Sequence, residues 1–554
     1  MEDTNWLSDT VPSGSAECRL SPLPQKGSPL LPAIHPGSLP ERNRHGAALL
    51  DYNEAENPRG ESTSMDYVSF PYAALVAAVL VLYCLFPLRS RYLVLTGGSL
   101  AFALLSLSSV PAGIVFFGTL VLGYLFSRML EAKREEKKSS LPLAFSLVII
   151  FLPLIAVKAE DYLAALHIQS ADEAKLFPRP VGLSFYTLLL AAYLADIWAG
   201  KCQAEKNPAK YLLFASFFPQ LVQGPIARYK ETGDSLATGR RFVDKNFVHG
   251  LRLILWGLFL KLVLADRAGI LVDAVFEDVS AFSCGMAALS AVLYSIQLYA
   301  DFSSCVCLSL GTAGLFGIRL PENFCHPYFA TSIRDFWRRW HITLSSWLRD
   351  YVYIPLGGSR RGKAIKYRNL VLTFLVSGFW HGGSPAFLVW GLLHAIYQIA
   401  EDALGIGRKK TEQEQEHASF GISFLRRIPR MLLTFLLVTI AWVIFRAQSL
   451  SAAAGLFQRI LTGAKGTGTF SEQLLAAGTD AKDMAVLATA IAVLFLVSFL
   501  QERAGNGKDA LSDRLDRLPL PVRFLLELSL IAVVVVFGTY GAGYHAKDFI
   551  YGEF

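Results

Sequence analysis

Long apolar stretches recur along this chain of 554 residues, and they restrict the folds that are open to it. They lie at about 70–86, 92–108, 110–129, 141–157, 181–199, 248–275, 283–318, 369–403, 431–446, 484–501 and 521–540. A helix of about 20 apolar residues crosses the hydrocarbon core of a bilayer, and 369–403 is long enough for two passes. With 18% charged residues and a mean hydropathy of +0.39, the chain is predicted to be an all-α polytopic membrane protein with about 11 transmembrane helices.

Basic residues between the apolar stretches indicate how the chain is oriented. They cluster at 89–91, 133–138, 201–210, 360–368 and 408–430. The positive-inside rule makes loops of this kind cytoplasmic. The net charge of +7 is therefore interpreted as a topology signal, and no nucleic-acid partner is predicted.

Residues 1–64 differ in composition from the rest of the chain. They contain eight prolines, many polar residues and no apolar run of membrane length. This composition predicts a disordered extension without a signal peptide. Met65 immediately precedes the first span, so the extension is also a candidate for a start-site artefact. Residues 65–554 are expected to form one membrane domain.

The segment from Tyr211 to Pro225 is apolar but interrupted by Pro219 and Gly224. Basic loops flank it on both sides, which predicts a re-entrant loop shielded by protein. A short tilted span is the alternative, because short apolar runs are ambiguous.

The segment from Arg334 to Tyr351 has an amphipathic pattern. At 100° per residue, one arc of about 120° collects its large apolar side chains: Phe336, Trp337, Trp340, Leu344, Trp347, Leu348 and Tyr351. Arginines and aspartates occupy the other positions, which predicts a continuous helix at the membrane interface. His341 would lie at the edge of the aromatic face, beside Arg334 and Arg338. The arginines would either anchor the helix or hold an anionic donor tail.

His381 ends an apolar run that begins at Leu370. It lies twelve positions after Asn369, so a helix would carry its imidazole roughly 18 Å into the membrane. A titratable group at that depth is a functional candidate by default, the alternative being a structural histidine bonded to a neighbouring helix. His381 and His341 are suited to accept a hydroxyl proton during acyl transfer. Periodicity alone does not separate acyl transfer from proton-coupled transport.

A set of motifs in a fixed order decides between these chemistries. They are Val181-Gly-Leu-Ser-Phe-Tyr186, Phe217-Phe-Pro-Gln-Leu-Val-Gln-Gly-Pro225, Leu320-Pro-Glu-Asn-Phe324, Asp335-Phe-Trp-Arg-Arg-Trp-His-Ile-Thr-Leu-Ser345, Trp347-Leu-Arg-Asp-Tyr351 with Ile354-Pro-Leu-Gly-Gly358, Phe379-Trp-His-Gly382, and Trp390-Gly391 with His394. In these motifs, from about Met65 to Phe445, the chain resembles the membrane-bound O-acyltransferase superfamily. Within it, the chain is most similar to the alginate O-acetyltransferase-like branch that modifies bacterial polysaccharides.

The resemblance implies a ring of membrane helices around a central tunnel, in a multi-pass protein of the bacterial cytoplasmic membrane. It implies His381 as the general base and His341 as a second active-site or entrance residue. It also implies a cytoplasmic thioester donor, acetyl-CoA, and a polysaccharide acceptor outside, reached directly or through an extracytoplasmic SGNH-type partner. No bound cofactor and no metal are predicted. The residues expected to bind substrate are Asp301, Asn323, Trp337, Arg338 and Trp380.

Asp301 is a candidate because it is an acid within an apolar run, although a helix-packing role is the alternative. The chain departs from the family pattern in three places near the motifs. Ser304-Cys-Val-Cys307 replaces Gly-Tyr-Ser-Asp, Cys325-His326 replaces Asn-Arg, and Gly383-Ser384-Pro385 replaces small-small-Trp. These changes leave both histidines in place but put the acceptor and partner in question.

Two other functions fit parts of the pattern. D-alanyl transfer to teichoic acid is a related activity that uses a carrier-protein donor. A multi-pass transporter would also have many spans and a buried histidine. That function predicts inverted repeats in the hydropathy pattern, and the sequence has no convincing internal repeat.

Overall fold

The structure is a computed structural model that describes residues 65–135, 139–166, 176–406, 420–504 and 511–540. Within these residues the regular elements are helices, and no strand is present. The predicted all-α class is therefore confirmed. The extension 1–64 lies outside the described residues, so its predicted disorder stays a prediction.

The helices up to the centre of the chain are α1 (Phe70–Leu85), α2 (Arg91–Leu105), α3 (Val110–Lys133), α4 (Leu141–Ala165), α5 (Leu183–Ala199), α6 (Pro208–Ser216), α7 (Phe218–Leu221), α8 (Tyr229–Ala237), α9 (Asp244–Leu258), α10 (Asp266–Glu277) and α11 (Cys284–Leu315). A π-helical turn, Phe259–Ala265, joins α9 to α10. The remaining helices are α12 (Ile333–Arg339), α13 (Ile342–Leu348), α14 (Lys363–His381), α15 (Pro385–Ala403), α16 (Phe420–Arg446), α17 (Leu450–Leu461), α18 (Phe470–Ala476), α19 (Ala481–Ala504), α20 (Leu511–Asp516) and α21 (Leu520–Phe537). Short 3₁₀ turns are Leu88–Ser90 and Pro327–Phe329, and a second π turn is Arg349–Tyr353.

Seven helices of the described chain are long and apolar enough to span a membrane. They are Val110–Lys133, Leu141–Ala165, Asp244–Glu277, Cys284–Leu315, Phe424–Arg446, Ala481–Arg503 and Leu520–Phe537. Several of them expose apolar side chains along most of their length, as surfaces that face lipid do. The chain is thus a multi-pass membrane protein, whereas the predicted number of about 11 spans and their ring stay predictions.

Helix α11 is the most deeply buried of these seven, with 94% of its apolar window inside the protein. Ser283 caps it by accepting a hydrogen bond from the Met286 N–H. The helix packs against α9, α10, α16 and α17. It therefore forms a central support for the surrounding helices.

The apolar stretch 369–403 forms two helices, α14 and α15, as its length predicts. Between them, Ser384 accepts a hydrogen bond from the Ala386 N–H, and Pro385 occupies the first helical position. The departure from the family pattern at 383–385 is therefore the start of α15. The two helices approach closely at Gly391, where a Cβ atom would lie 2.3 Å from the Phe374 carbonyl oxygen.

The segment from Tyr211 to Pro225 is broken, as Pro219 and Gly224 predict. Helix α6 ends at Ser216, and the short α7 follows after Phe217. All of its residues are buried except Leu212 and Val222, which are half-buried. The predicted shielding by protein is therefore present, while its re-entrant course across the membrane stays a prediction.

The prediction of one continuous interfacial helix from Arg334 to Tyr351 is wrong. The chain forms α12 and α13, and His341 between them has a left-handed backbone with φ of 45°. The Cys325 N–H donates to the Arg339 carbonyl oxygen and the Ile342 N–H donates to the Asn323 carbonyl oxygen, both at 2.9 Å. The segment 323–325 therefore binds both sides of the break, and its hydrogen bonds replace helical ones.

We expect Gly391→Ala to weaken the packing of α14 against α15, because the added methyl group collides with backbone atoms. Overpacking of this kind costs about 1–3 kcal/mol. Thermal unfolding of the purified protein in detergent is expected to begin at a lower temperature. The matched control is Gly118→Ala on α3, where nothing lies within 4 Å of the added atom. Equal melting temperatures for the two variants would contradict the close approach.

Candidate active site

The structure brings His341 and His381 to a common indole ring, that of Trp380. The Trp380 ring centroid lies 4.8 Å from that of His381 and 6.1 Å from that of His341. His381 is the last residue of α14, and both histidines are buried. Two candidate residues from distant motifs therefore meet in one buried centre.

Asn323 determines which nitrogen of His341 carries the proton. Its Oδ1 accepts a hydrogen bond from the Thr343 backbone N–H at 3.1 Å. A backbone N–H can only donate, so the atom of Asn323 that faces it must be the acceptor oxygen. The same oxygen lies 3.1 Å from Nδ1 of His341, which must therefore be protonated to make a hydrogen bond. In the neutral ring, Nε2 then carries the lone pair. This atom has no hydrogen-bond partner among the described residues.

The Thr343 hydroxyl extends this network to the broken α6–α7 segment. It donates to Asn323 Oδ1 at 2.9 Å and accepts from the Ile226 N–H at 3.2 Å. Asn323 itself is fully buried. Three segments that are remote in sequence are thus joined around the His341 side chain.

Aromatic rings enclose His381 on several sides. Besides Trp380, its ring contacts Trp390 at 5.1 Å and Phe445 at 5.4 Å between centroids. On the other side of this cluster, Trp390 contacts His394 at 5.1 Å. Such an apolar surrounding excludes water and strengthens electrostatic interactions within the centre.

Trp337 and Trp380 were both predicted to bind substrate, and the protein uses both indole N–H groups. The Trp337 Nε1–H donates to His394 Nδ1 at 3.2 Å. The Trp380 Nε1–H donates to the Ser184 carbonyl oxygen at 3.4 Å. Both donors thus hold neighbouring elements together, and the predicted substrate roles of the two tryptophans stay predictions. His394, with its proton on Nε2, therefore carries the opposite tautomer to His341.

Asp301 lies on α11 and forms part of a buried ion cluster. The Lys261 Nζ lies 3.0 Å from Asp301 Oδ1 and 2.9 Å from Asp266 Oδ1. All three side chains are buried. Asp301 is adjacent to Phe302, whose ring contacts His341 at 4.9 Å between centroids. The helix-packing alternative thus has direct support, and the predicted substrate role stays a prediction.

The arginines of α12 do not converge on the histidines. Arg338 is exposed, whereas the buried Arg334 lies 3.2 Å from an Asp402 oxygen. Arg339 forms ion pairs with Glu502 at 2.9 Å and Asp335 at 3.0 Å. Arg334 and Arg339 are thus held by carboxylates, and Arg338 is the one of these three with an exposed side chain.

Two buried lysines were missed by the sequence interpretation. Lys261 pairs with Asp301, and Lys158 on α4 lies within electrostatic range of His381. Lys261 lies inside the apolar stretch 248–275 and Lys158 directly follows the stretch 141–157, and that location is the signal that identifies them.

The structure also shows the surroundings of the two other departures from the family pattern, at 304–307 and 325–326. The Cys305 thiol donates to Gln223 Oε1 at 3.3 Å, beside the broken segment. His326 has a left-handed backbone, and burial lowers the pKa of its side chain to about 4. Among the described residues, no group of three metal-ligating side chains is present.

A small cavity adjoins the centre. It is lined by α5 and by the broken segment, including Phe185, Leu189, Gln220 and Ile226. The Phe185 ring contacts Trp380 at 5.7 Å between centroids, and Ile226 is hydrogen-bonded to Thr343. The predicted continuous tunnel stays a prediction.

The fold and site define a class: a multi-pass helical membrane protein with a buried histidine pair suited to proton transfer. Residues 183–440 match the family model described as "MBOAT, membrane-bound O-acyltransferase family". Over these residues, just under half of its length, the chain is similar to this family. The matched region contains both histidines, Asn323 and Lys261, whereas Lys158 lies outside it.

Curated relatives cover part of the chain. It is 36% identical over 335 residues to "Probable alginate O-acetylase AlgI" of Pseudomonas syringae pv. tomato, covering 60% of this chain and 62% of the relative. It is 38% identical over 301 residues to the "Peptidoglycan O-acetyltransferase" of Helicobacter pylori, covering 50% and 55%. The "Teichoic acid D-alanyltransferase" of Bacillus subtilis is 28% identical over 287 residues, covering 50% and 70%. The chain thus spans little more than half the length of the two O-acetylating relatives.

We expect Lys261→Met to destabilise the protein, because it leaves Asp266 and Asp301 buried without their shared cation. Breaking a buried ion pair in this way costs about 3–5 kcal/mol. Thermal unfolding in detergent measures the loss, and Lys482→Met, at an exposed position, is the control. Adding Asp301→Asn to Lys261→Met is expected to restore part of the stability. No recovery in the double variant would argue against direct coupling of the two residues.

Proposed function

We propose that this protein is an O-acyltransferase of the bacterial cytoplasmic membrane. It moves an acetyl group from a cytoplasmic thioester, acetyl-CoA, towards a polysaccharide at the cell surface. The observation that carries this proposal is the buried pair of His341 and His381 around Trp380. The names of the O-acetylating relatives supply the acyl group and the class of acceptor.

The chemistry requires a base for the attacking hydroxyl group. In the proposed reaction, the hydroxyl oxygen attacks the thioester carbonyl carbon while the histidine pair accepts the hydroxyl proton. His381 is the predicted general base. The carbon–sulfur bond then breaks, and the departing thiolate takes up the proton, so the histidines are regenerated. A general base contributes typically 10²–10⁴-fold to such a step.

The aromatic surroundings of His381 support transfer over hydrolysis. Trp380, Trp390 and Phe445 contact its ring and leave little room for bulk water. A thioester that reaches this centre would meet the acceptor hydroxyl in a dry environment, which limits its loss to water.

The two faces of the membrane supply the donor and the acceptor in this proposal. Basic loops at 89–91, 133–138, 201–210 and 360–368 mark the cytoplasmic side, where the anionic donor arrives. The acceptor lies on the opposite side, and an SGNH-type transferase there would pass the acetyl group to the polysaccharide. The lipid bilayer and this transferase are the proposed partners.

The other functions have weaker support. The D-alanyltransferase relative is 28% identical, whereas the O-acetylating relatives are 36–38% identical. Transfer from a carrier-protein thioester, tested in the same membranes, distinguishes D-alanylation. Similarity to this family favours a transferase over a transporter.

We expect His381→Ala and His341→Ala to reduce acetyl transfer by about 10²–10⁴-fold, because each removes an imidazole from the centre. The measurement is the ester-linked acetyl content of the surface polysaccharide in a strain that lacks its own copy of the gene. Each variant is compared at equal protein level in the membrane.

The matched control is His249→Ala, on α9, which removes a histidine outside the buried centre and should preserve acetylation. Full acetylation with His381→Ala would exclude this residue as the base. Full acetylation in the deletion strain itself would contradict the proposed function.

A further inference from the structure

Asn323 was expected to bind substrate, but the oxygen of its side-chain amide, Oδ1, is hydrogen-bonded to other residues of the protein. Oδ1 lies within 3.1 Å of three groups: the Thr343 backbone N–H, the Thr343 hydroxyl and His341 Nδ1. If the side-chain amide were turned over, its NH₂ group would face the Thr343 N–H, and two donors would oppose each other. The backbone N–H therefore fixes the orientation of the amide.

This orientation leaves one arrangement for the His341 proton. Nδ1 carries the hydrogen and donates to Asn323, so Nε2 presents a lone pair within the buried centre. Nε2 has no hydrogen-bond partner among the described residues, and the residue is 1% exposed. A buried acceptor without a partner costs about 1–3 kcal/mol. That cost is explained if a donor binds there during the reaction.

The backbone at this point serves the same arrangement. His341 has a left-handed conformation, which costs a non-glycine residue about 1–2 kcal/mol. Hydrogen bonds from Cys325 and Ile342 hold the segment 323–325 across the break. The break brings Nδ1 of His341 and the Asn323 side chain together. The strained backbone and the amide therefore both contribute to the hydrogen bond at Nδ1.

We infer that Asn323 is a positioning residue that holds the His341 proton on Nδ1 and thereby makes Nε2 a proton acceptor in the acyl transfer. The inference rests on the proposed function. When the acceptor hydroxyl attacks the thioester carbonyl, His381 accepts its proton and passes it to Nε2 of His341, which holds it. The carbon–oxygen bond forms, the carbon–sulfur bond breaks, and the proton passes to the thiolate sulfur. Asn323 Oδ1 stabilises the transient imidazolium through the Nδ1–H hydrogen bond.

His341 faces aromatic rings and the titratable side chain of His381. Its ring contacts Phe302 of α11 and Trp380 of α14. The titratable group opposite is His381, which lies within electrostatic range, and Lys158 of α4 acts on His381 in turn. A change at Asn323 that adds a negative charge is therefore expected to act on His341 directly.

Two substitutions separate positioning from structure. Asn323→Leu removes the acceptor, and kcat for acetyl transfer should fall about 100-fold with little change in KM for acetyl-CoA. Asn323→Asp keeps an acceptor oxygen, so it should retain much more activity. It should also move the acidic limb of the pH–rate profile upward by about one pH unit, because a carboxylate stabilises the imidazolium. Thr343→Val removes the hydroxyl that bonds Asn323 and Ile226 but spares the hydrogen bond to His341 Nδ1, so it should leave the position of the acidic limb unmoved.

The assay uses membranes containing the full chain, acetyl-CoA, and surface polysaccharide of the host that has been de-acetylated with mild alkali. Equal losses in Asn323→Leu and Asn323→Asp, or an unmoved acidic limb in Asn323→Asp, would overturn the inference. If wild-type membranes transfer no acetyl group, the proposed function fails instead.

A direct measurement of the tautomer does not depend on activity. In the ¹⁵N NMR spectrum of protein labelled at histidine, a signal that disappears in His341→Gln should show the neutral form protonated on Nδ1. In Asn323→Leu the His341 ring should shift towards the form protonated on Nε2. In Asn323→Asp the proton should remain on Nδ1. An Nε2-protonated signal in the wild type would overturn the inference whatever the activity shows.

Discussion

A polar group inside a helical membrane protein must find its partner within the protein, because lipid offers none. This constraint accounts for most of the architecture around the two histidines. Asn323 holds His341, Trp337 holds His394, and Lys261 is shared by two carboxylates. Each pairing joins residues from different elements of the chain. The polar groups therefore specify how the apolar helices pack, as well as what the centre does.

The sequence was sufficient for the features that depend on local composition. Apolar runs predicted the helical class, the two helices within 369–403 and the interruption at Pro219. The depth of His381 along α14 followed from helical rise alone. The motifs around the histidines predicted the family, and the match over residues 183–440 bears it out.

Features that depend on contacts between distant segments were beyond the sequence. The pattern from Arg334 to Tyr351 has the correct helical period on both sides of His341, so nothing in it reveals the break. The break exists because the segment 323–325 supplies competing hydrogen bonds. For the same reason, Asp301 was recognised as a buried acid without its partner Lys261. Asn323 was assigned to the site without its role being evident, since that role lies in a bond to His341.

The position of His381 as the last residue of α14 has an electrostatic consequence. The aligned peptide dipoles of a helix place about half a negative charge at its C-terminal end. An imidazolium formed there is stabilised by up to about 2 kcal/mol in a partly buried geometry. The backbone of α14 thus offers the transferred proton a counter-charge that no acidic side chain has to supply. The same helix that carries the imidazole into the apolar interior offsets part of the cost of charging it.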